Sequence, residues 1–327
     1  MAEVKRYYVY DKNKQKRHIH PETSTKAIVG LNEVLDIYKN ESIIPTIHEI
    51  VNTIISPEEG EDGGIIGIKA VISKNLDYYV NASTGNDEND GLTSATAFKT
   101  IMRVVNEIKF FYYISPITIS INIASGTYIE NITLPKLLCM FAIKLNVVGT
   151  GQNLTIIKGN LTDYSNLIVS FNSLRIAPVI YNGPVVYIDG NRELNLGDVY
   201  VTADYSQPAT HGHSMFQLNN LSKFNFCNCT FVSPSQANLV SVISADNFCK
   251  ITNNGGVTTV SGSVQTFIDL FMQSVFIRND GVANFSGSMT GKRYEGRICS
   301  TFMTYAGGNN YFPGSTAGSV SNGSNYY

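Results

Sequence analysis

Cutting a glycosidic bond takes two carboxylates, about 5–5.5 Å apart for retention or about 6.5–9.5 Å apart for inversion. In the long C-terminal body of this chain the only dense acidic group is Asp189, Glu193, Asp198 and Asp204. Asp189-Gly190-Asn191 has the composition of a turn, and Asp198 follows Gly197, so two of the four have an ordinary turn role. Glu193 and Asp198 are an odd number of residues apart. A strand running through both would point them to opposite faces, unless Gly197 breaks its register. If the chain is a hydrolase, Glu193, Asp198 and Asp204 are its candidate catalytic residues. A lyase instead needs a base beside a neutralised uronate, and Lys292-Arg293-Tyr294-Glu295-Gly296-Arg297 holds the residue types for it.

Other groups point to binding. The insertion from Ala203 to Ser214 carries Tyr205, His211 and His213, on what reads as a loop leaving a rigid scaffold. Recognition commonly sits on such loops, and Tyr offers sugars an apolar face with a polar tip. These three are the candidate receptor-binding residues. His18-Ile19-His20 and His211-Gly212-His213 read as exposed histidines, with no metal assigned. Asp87, Glu88 and Asp90 form an acidic loop without the spacing of an EF-hand, and a polar cap turn is the preferred reading. No cofactor is expected. The five cysteines are scattered and read as buried free thiols. Cys227 and Cys229 alone make a poor zinc site.

These residues need a scaffold, and charge divides the chain into parts. Residues 1–62 carry 19 of the 50 charged side chains, whereas 205–277 carry only Lys223, Asp246, Lys250 and Asp269. The first part opens with an alternating strand, Tyr7-Tyr8-Val9-Tyr10, and a basic turn from Asp11 to Arg17. Two runs at helical spacing follow, one through Ile28, Leu31, Val34, Leu35 and Tyr38, the other through Ile44, Ile47, Ile50, Val51 and Ile54. Both are too short to stand without a partner face. Pro57 to Gly64 reads as a flexible linker.

From about Ile117 the pattern changes to strands of four to eight residues broken by Gly or Asn. Ile117–Ile123, Lys144–Val148, Leu154–Lys158, Leu167–Phe171, Val185–Ile188, Val199–Thr202, Leu239–Ile243, Val257–Val260 and Val275–Arg278 are examples. Apolar positions recur at Leu174, Leu196, Phe224, Phe248 and Phe276, in steps of 22 to 28 residues. That is the length of one β-solenoid coil, and coils must stack to bury their inner faces. The competing reading is an antiparallel sandwich.

Composition narrows the partners. Charged residues are 15%, hydrophobic residues 43%, and the net charge is −2. Such a balance argues against nucleic acid. No apolar run approaches the ~20 residues that span a bilayer, and no apolar signal core follows Met1.

Two phrases carry a family resemblance. Tyr78-Tyr79-Val80-Asn81-Ala82-Ser83-Thr84-Gly85-Asn86-Asp87-Glu88-Asn89-Asp90-Gly91 and the helix start after it resemble the entry cap of the right-handed parallel β-helix in bacteriophage tail fibres and tailspikes. Tyr305-Ala306-Gly307-Gly308-Asn309-Asn310-Tyr311-Phe312-Pro313-Gly314-Ser315 resembles the tail that closes many of those fibres. Gly126-Thr127-Tyr128-Ile129-Glu130-Asn131 is similar to an early coil of pectate-lyase-like proteins. In this family Lys292-Arg293-Tyr294 also reads as trimer structure.

The resemblance implies a mostly β protein in four parts: a small α/β particle-attachment region at 1–62, a linker at 63–77, a β-helix at 78–290 with a cap helix at about 97–108, and a Gly/Ser/Asn-rich trimer tail at 291–327. Three tails wound together are expected to bury Tyr305, Tyr311 and Phe312 between chains. The expected product is a homotrimeric virion protein, made in the bacterial cytoplasm without a signal peptide. It would dock on a tail or baseplate protein and bind a bacterial surface glycan or other receptor, without entering the membrane. A polysaccharide depolymerase and a structural tail adaptor are the alternatives.

Overall fold

The computed structural model describes residues 70–180, 183–190, 193–203, 213–234, 238–279 and 283–327, with the backbone of Tyr7–Tyr10 and Lys16–Ile19. The two expected helical runs before residue 57, the Pro57–Gly64 segment, His20, Asp204, Tyr205 and His211 lie outside the described residues. Two units divide the chain: 1–73 with 110–114, and 74–109 with 115–327. In the first, Tyr7–Tyr10 pairs antiparallel with Lys16–Ile19, and Ala70–Ile72 pairs parallel with Phe111–Tyr113. Residues 70–72 are therefore a strand inside the stretch read as linker. Among the described residues no helix is long and apolar enough to cross a membrane.

The second unit is a parallel β-solenoid of about 8 turns. Each full coil lays down three strand segments, and each segment pairs in parallel with its equivalents one coil before and after. On the first face Thr118–Ile123, Lys144–Val148 and the start of Ile168–Ile176 are in register. The ladder continues through Glu193–Thr202, Lys223–Cys227, Lys250–Asn253, Val275–Arg278 and Thr301–Met303. The strict alternation of these strands sends every second residue inward. One inner column thus runs Ile119, Leu145, Val169, Leu194, Phe224, Ile251, Phe276 and Phe302, all with no exposed surface. Full burial of each such side chain contributes about 1.5–3 kcal/mol. No coil could hold its column alone.

All nine expected strands overlap an observed one. The recurrence read from Leu174 to Phe276 has the right period but the wrong register. Phe224 and Phe276 share the inner column, Leu174 starts the next face, and Phe248 is an exposed corner residue.

The entry cap is built as its sequence suggested. The helix spans Ile101–Ile108, with Ile101, Val104, Val105 and Ile108 buried at helical spacing. It starts at Thr100 rather than at Ala97, because Phe98 is used in a bridge to Val80. Asp87 holds this entry: Oδ1 accepts from the N–H of Lys99 (2.8 Å) and Thr100 (2.9 Å), and Oδ2 from the Thr100 hydroxyl (2.9 Å). Glu130, one coil on, accepts the N–H groups of Ile101 and Met102 at 2.9 and 2.8 Å. Two of the donors that a helix start leaves open are satisfied in this way. Burial nevertheless raises the Glu130 carboxyl above its ordinary value, against the pull of those two N–H groups.

The last coils depart from the expected layout. Residues 291–327 are no separate tail, for Asn284–Gly296 pairs along Val257–Leu270 and the ladder continues to Ser319–Val320 and Asn325–Tyr326. Tyr311 and Phe312 are buried within their own chain, while Tyr305 is 62% exposed. Phe312 lies within ring contact of Phe276, Phe285, Tyr294 and Phe302. In a segment this rich in Gly, Ser and Asn, the core comes from a few aromatics brought together from two successive coils.

Beside that cluster the second inner column turns polar. It runs Phe171, Leu196, Phe226 and then Asn253 and Arg278, which are buried. Arg278 donates from Nε to the Ala283 carbonyl at 2.8 Å and from Nη2 to Asn284 Oδ1 at 2.9 Å. Its guanidinium lies 4.9 Å from the Tyr311 ring centroid. The Tyr311 hydroxyl donates to the Ala283 carbonyl (3.1 Å) and accepts from Asn253 Nδ2 (3.1 Å).

Removing that hydroxyl takes the acceptor from buried Asn253 Nδ2, while the Ala283 carbonyl keeps its bond from Arg278 Nε. Tyr311→Phe is expected to cost about 1–3 kcal/mol in urea unfolding, whereas Tyr305→Phe is expected to change stability by less than about 0.5 kcal/mol. Stability should also fall in alkali. Burial pushes Cys249 up to about 11, and Cys229, Tyr78 and Tyr311 up to about 12, from ordinary values of 9 for the thiols and 10 for the phenols. A raised folded pKa gives stability that is complete below the unfolded value and is lost as pH rises through the folded one. The melting temperature is thus expected to decline from pH 9 upward, and a flat profile to pH 11 would contradict this.

Candidate functional site

Of the expected acidic residues, Glu193 and Asp198 are not brought together, and Asp204 lies outside the described residues. Glu193 starts its strand, half-buried, with Oε1 accepting from Asn225 Nδ2 at 3.1 Å. Asp198 sits five residues on, at the corner between the first two faces, with a left-handed φ of 53°. Five extended residues span roughly 16 Å, well past the separation that either glycosidase geometry uses. Asp198 instead serves its corner. Its two oxygens accept from Gln152 Nε2 (2.8 Å) and the Ser173 hydroxyl (3.2 Å). Ser173 and Asn228 hold the equivalent corner positions of adjacent coils with φ of 53° and 50°. Asp and Asn tolerate this conformation better than most residues. Asp189 has a ladder role: Oδ1 accepts from Asn220 Nδ2 at 2.7 Å, and Asn220 in turn accepts from Asn247 at 3.2 Å.

Of the candidate receptor residues only His213 falls within the described chain, where its carbonyl accepts the Val240 N–H at 3.0 Å. Cys229 and Cys249 are buried, Cys139 and Cys227 partly so, and Cys299 is exposed. Among the described residues no three His, Cys, Asp or Glu side chains are grouped as metal ligands. In the 292–297 phrase Tyr294 points inward and is buried, stacked on Tyr326 at 4.5 Å between centroids. It is not placed to act as a lyase base.

The outer surface of the third face brings together groups that lie far apart in the sequence. One outward column runs Tyr187, Gln217, Ser244, Asp269 and Glu295, each in register with the next. The adjacent positions of the same strands and corners add Tyr164, Asp189, Asn219, Asp246, Phe271 and Arg297. Tyr164 and Tyr187 meet edge to face at 5.9 Å. The Tyr187 hydroxyl accepts from Asn219 Nδ2 at 2.9 Å and donates to Asp189 at 3.4 Å.

Three coils further along, Arg297 Nη2 pairs with Asp269 Oδ2 at 2.7 Å, and its guanidinium lies 5.1 Å from the Phe271 ring centroid. Lys292 pairs with Glu295 at 3.1 Å. Burial raises the Asp269 carboxyl, outweighing the nearby Arg297 charge. Asp269 Oδ1, Arg297 Nε and Asp246 Oδ1 are buried and have no hydrogen-bond partner. Natural proteins leave few such atoms, and each calls for a partner.

The surface thus joins aromatic faces with paired charges, over roughly 19 Å from Tyr187 to Glu295 at about 4.8 Å per coil. Beside it, along the corner to the first face, a groove of about 470 Å³ is lined by Met140, Phe141, Asn166, Gly190, Leu221 and Lys223, among others. Sequence reasoning had noted Asp246 and Asp269 only as isolated charges. The coil spacing of 25 to 26 residues from Ser244 to Asp269 to Glu295 held the signal, but only for a reader who already knew the register.

No protein-family model matches the chain, and no curated protein or solved structure matches it.

The corner role of Asp198 separates from a catalytic one by substitution. Asp198→Asn is expected to alter stability by less than about 0.5 kcal/mol. Asp198→Val, with a branched side chain in left-handed backbone, is expected to cost about 1–2 kcal/mol in urea unfolding. Equal effects would remove the corner argument.

Proposed function

We propose that this chain is a receptor-binding solenoid of the phage tail-fibre or tailspike kind, which attaches to a particle through its N-terminal region. In this reading it works as a homotrimer in the virion, and its ligand is a bacterial surface glycan. The observation that carries the binding role is the outer surface of the third face. Its tyrosines suit the apolar faces of sugar rings, and Asp269, Glu295 and Arg297 suit their hydroxyls through charge-assisted hydrogen bonds. Its length along the solenoid suits several sugar units in a row. The entry phrase at 78–91 and the closing phrase at 305–315 support the particle setting by resemblance.

A second reading has one observation in its favour. Asp269 and Glu295 are neighbours across a parallel ladder, and Asp269 has a raised pKa, as a general acid requires. On that reading the protein is a depolymerase, with Asp269 as acid and Glu295 as its partner. The Arg297 contact opposes it by favouring the ionised carboxylate.

The two separate in a single experiment on the full chain with purified envelope polysaccharide. Binding with no new reducing ends is expected, weakened about tenfold or more (~1.4 kcal/mol) by Arg297→Met and by Tyr187→Ala. New reducing ends that vanish in Asp269→Asn would make it a depolymerase. Binding untouched by all three substitutions would move the site off this face.

A further inference from the structure

The corner between the third and first faces has an unusual crest. Four successive coils place an apolar side chain there in the open: Leu221 (69% exposed), Phe248 (55%), Met272 (39%) and Ile298 (38%). The corners stack directly, the N–H of Leu221 bonding to the Asn247 carbonyl, that of Phe248 to Met272, and that of Gln273 to Ile298. All four residues have left-handed backbone, with φ of 62°, 61°, 46° and 53°. Bulky apolar residues rarely adopt that conformation. Solvation and backbone preference both oppose these side chains, and a row of them marks an interaction surface.

Three features say what covers it. The crest carries no charge, since its other residues are Asn220, Asn247, Gln273 and Cys299. A crest of neutral and apolar groups is what identical copies need when each side chain meets its own equivalent. The repeat is also that of the solenoid, about 4.8 Å per coil, so a parallel copy matches it coil for coil. Finally, one coil carries opposite charges on its two flanks. Lys250 is exposed where the first face begins, and Asp246, on the same coil, lies half-buried where the third face ends. In a cyclic parallel arrangement the first-face flank of one copy meets the third-face flank of the next. Lys250 then faces Asp246 of its neighbour at the same height.

We propose that this crest is the seam along which copies of the chain associate, parallel and in register, with Leu221, Phe248, Met272 and Ile298 at the centre and Lys250 set against the neighbour's Asp246. The proposal deepens the homotrimer reading above, and rests on it for the number of copies.

Light scattering on the full 35.9 kDa chain is the test, with circular dichroism to confirm that each variant keeps its strands. The wild type is expected to be a multimer, and Leu221→Asp with Phe248→Asp to be a folded monomer. Both side chains are exposed, so their loss leaves the core intact. Lys250→Glu is expected to weaken the multimer at least about tenfold, and adding Asp246→Lys to restore it. Cys299 lies on the crest, so a short bismaleimide should join copies in the wild type and not in Cys299→Ser. A multimer that survives both crest substitutions and gives no Cys299 cross-link overturns the seam while leaving the trimer reading in place. A wild-type monomer overturns both.

Discussion

Parallel stacking in register is the constraint on which this molecule depends. Each coil hydrogen-bonds only to the coils on either side of it, so a residue is fixed in space by its offset within the repeat. The inner column from Ile119 to Phe302 follows from that rule, as do the corner positions of Ser173, Asp198 and Asn228. One consequence is that polar residues at corners form ladders, because the group above is the same kind as the group below. Asp189, Asn220 and Asn247 are joined in this way. On the inside of the same corner Gly190 N–H bonds to Ser222, Cys249 N–H to Ser274, and Ser300 N–H to Ser324. Small hydroxyls there satisfy backbone donors that would otherwise be buried unpaired.

A solenoid built this way must close its two ends, whose strands would otherwise present open hydrogen-bonding edges. The start is closed by a helix and an acidic turn, with Asp87 and Glu130 spent on backbone N–H groups. At the other end Phe312 fills the aromatic space left by the last coils, and Tyr311 anchors a buried polar network around Arg278. Burying an arginine is costly unless its donors are met, and here Nε and Nη2 find acceptors at 2.8 and 2.9 Å. The closing device is therefore specific in direction, where an all-apolar plug would accept many arrangements.

This division explains what was legible in the sequence. The entry cap is local, with its turn, cap and helix in about thirty consecutive residues, so a cap helix at about 97–108 could be read directly, though not its start after Thr100. The strands were legible because alternation is local too. Register was not. Phe248 looked like one more core residue in a periodic series, yet it stands at a corner with left-handed backbone, which no spacing of apolar residues discloses. The 291–327 segment misled for the opposite reason. Its composition is that of a flexible tail, but Tyr294, Phe302, Tyr311 and Phe312 are enough when neighbouring coils supply the other half of the contacts.

The same register that hid the outer surface also limits what that surface can be. A column gains one side chain per coil, so adjacent functional groups are set about 4.8 Å apart along the axis and cannot be brought closer without breaking the ladder. Asp269 over Glu295 is as near as this fold places two carboxylates on successive strands, and Arg297 lies beside them rather than between them. Such spacing suits a repeating ligand laid along the solenoid, with each coil meeting a further unit of it. The apolar crest obeys the same rule, since a repeating row of side chains is best matched by another row with the same repeat. One geometric period thus suits the third face to a polymer and the crest to another copy of the chain.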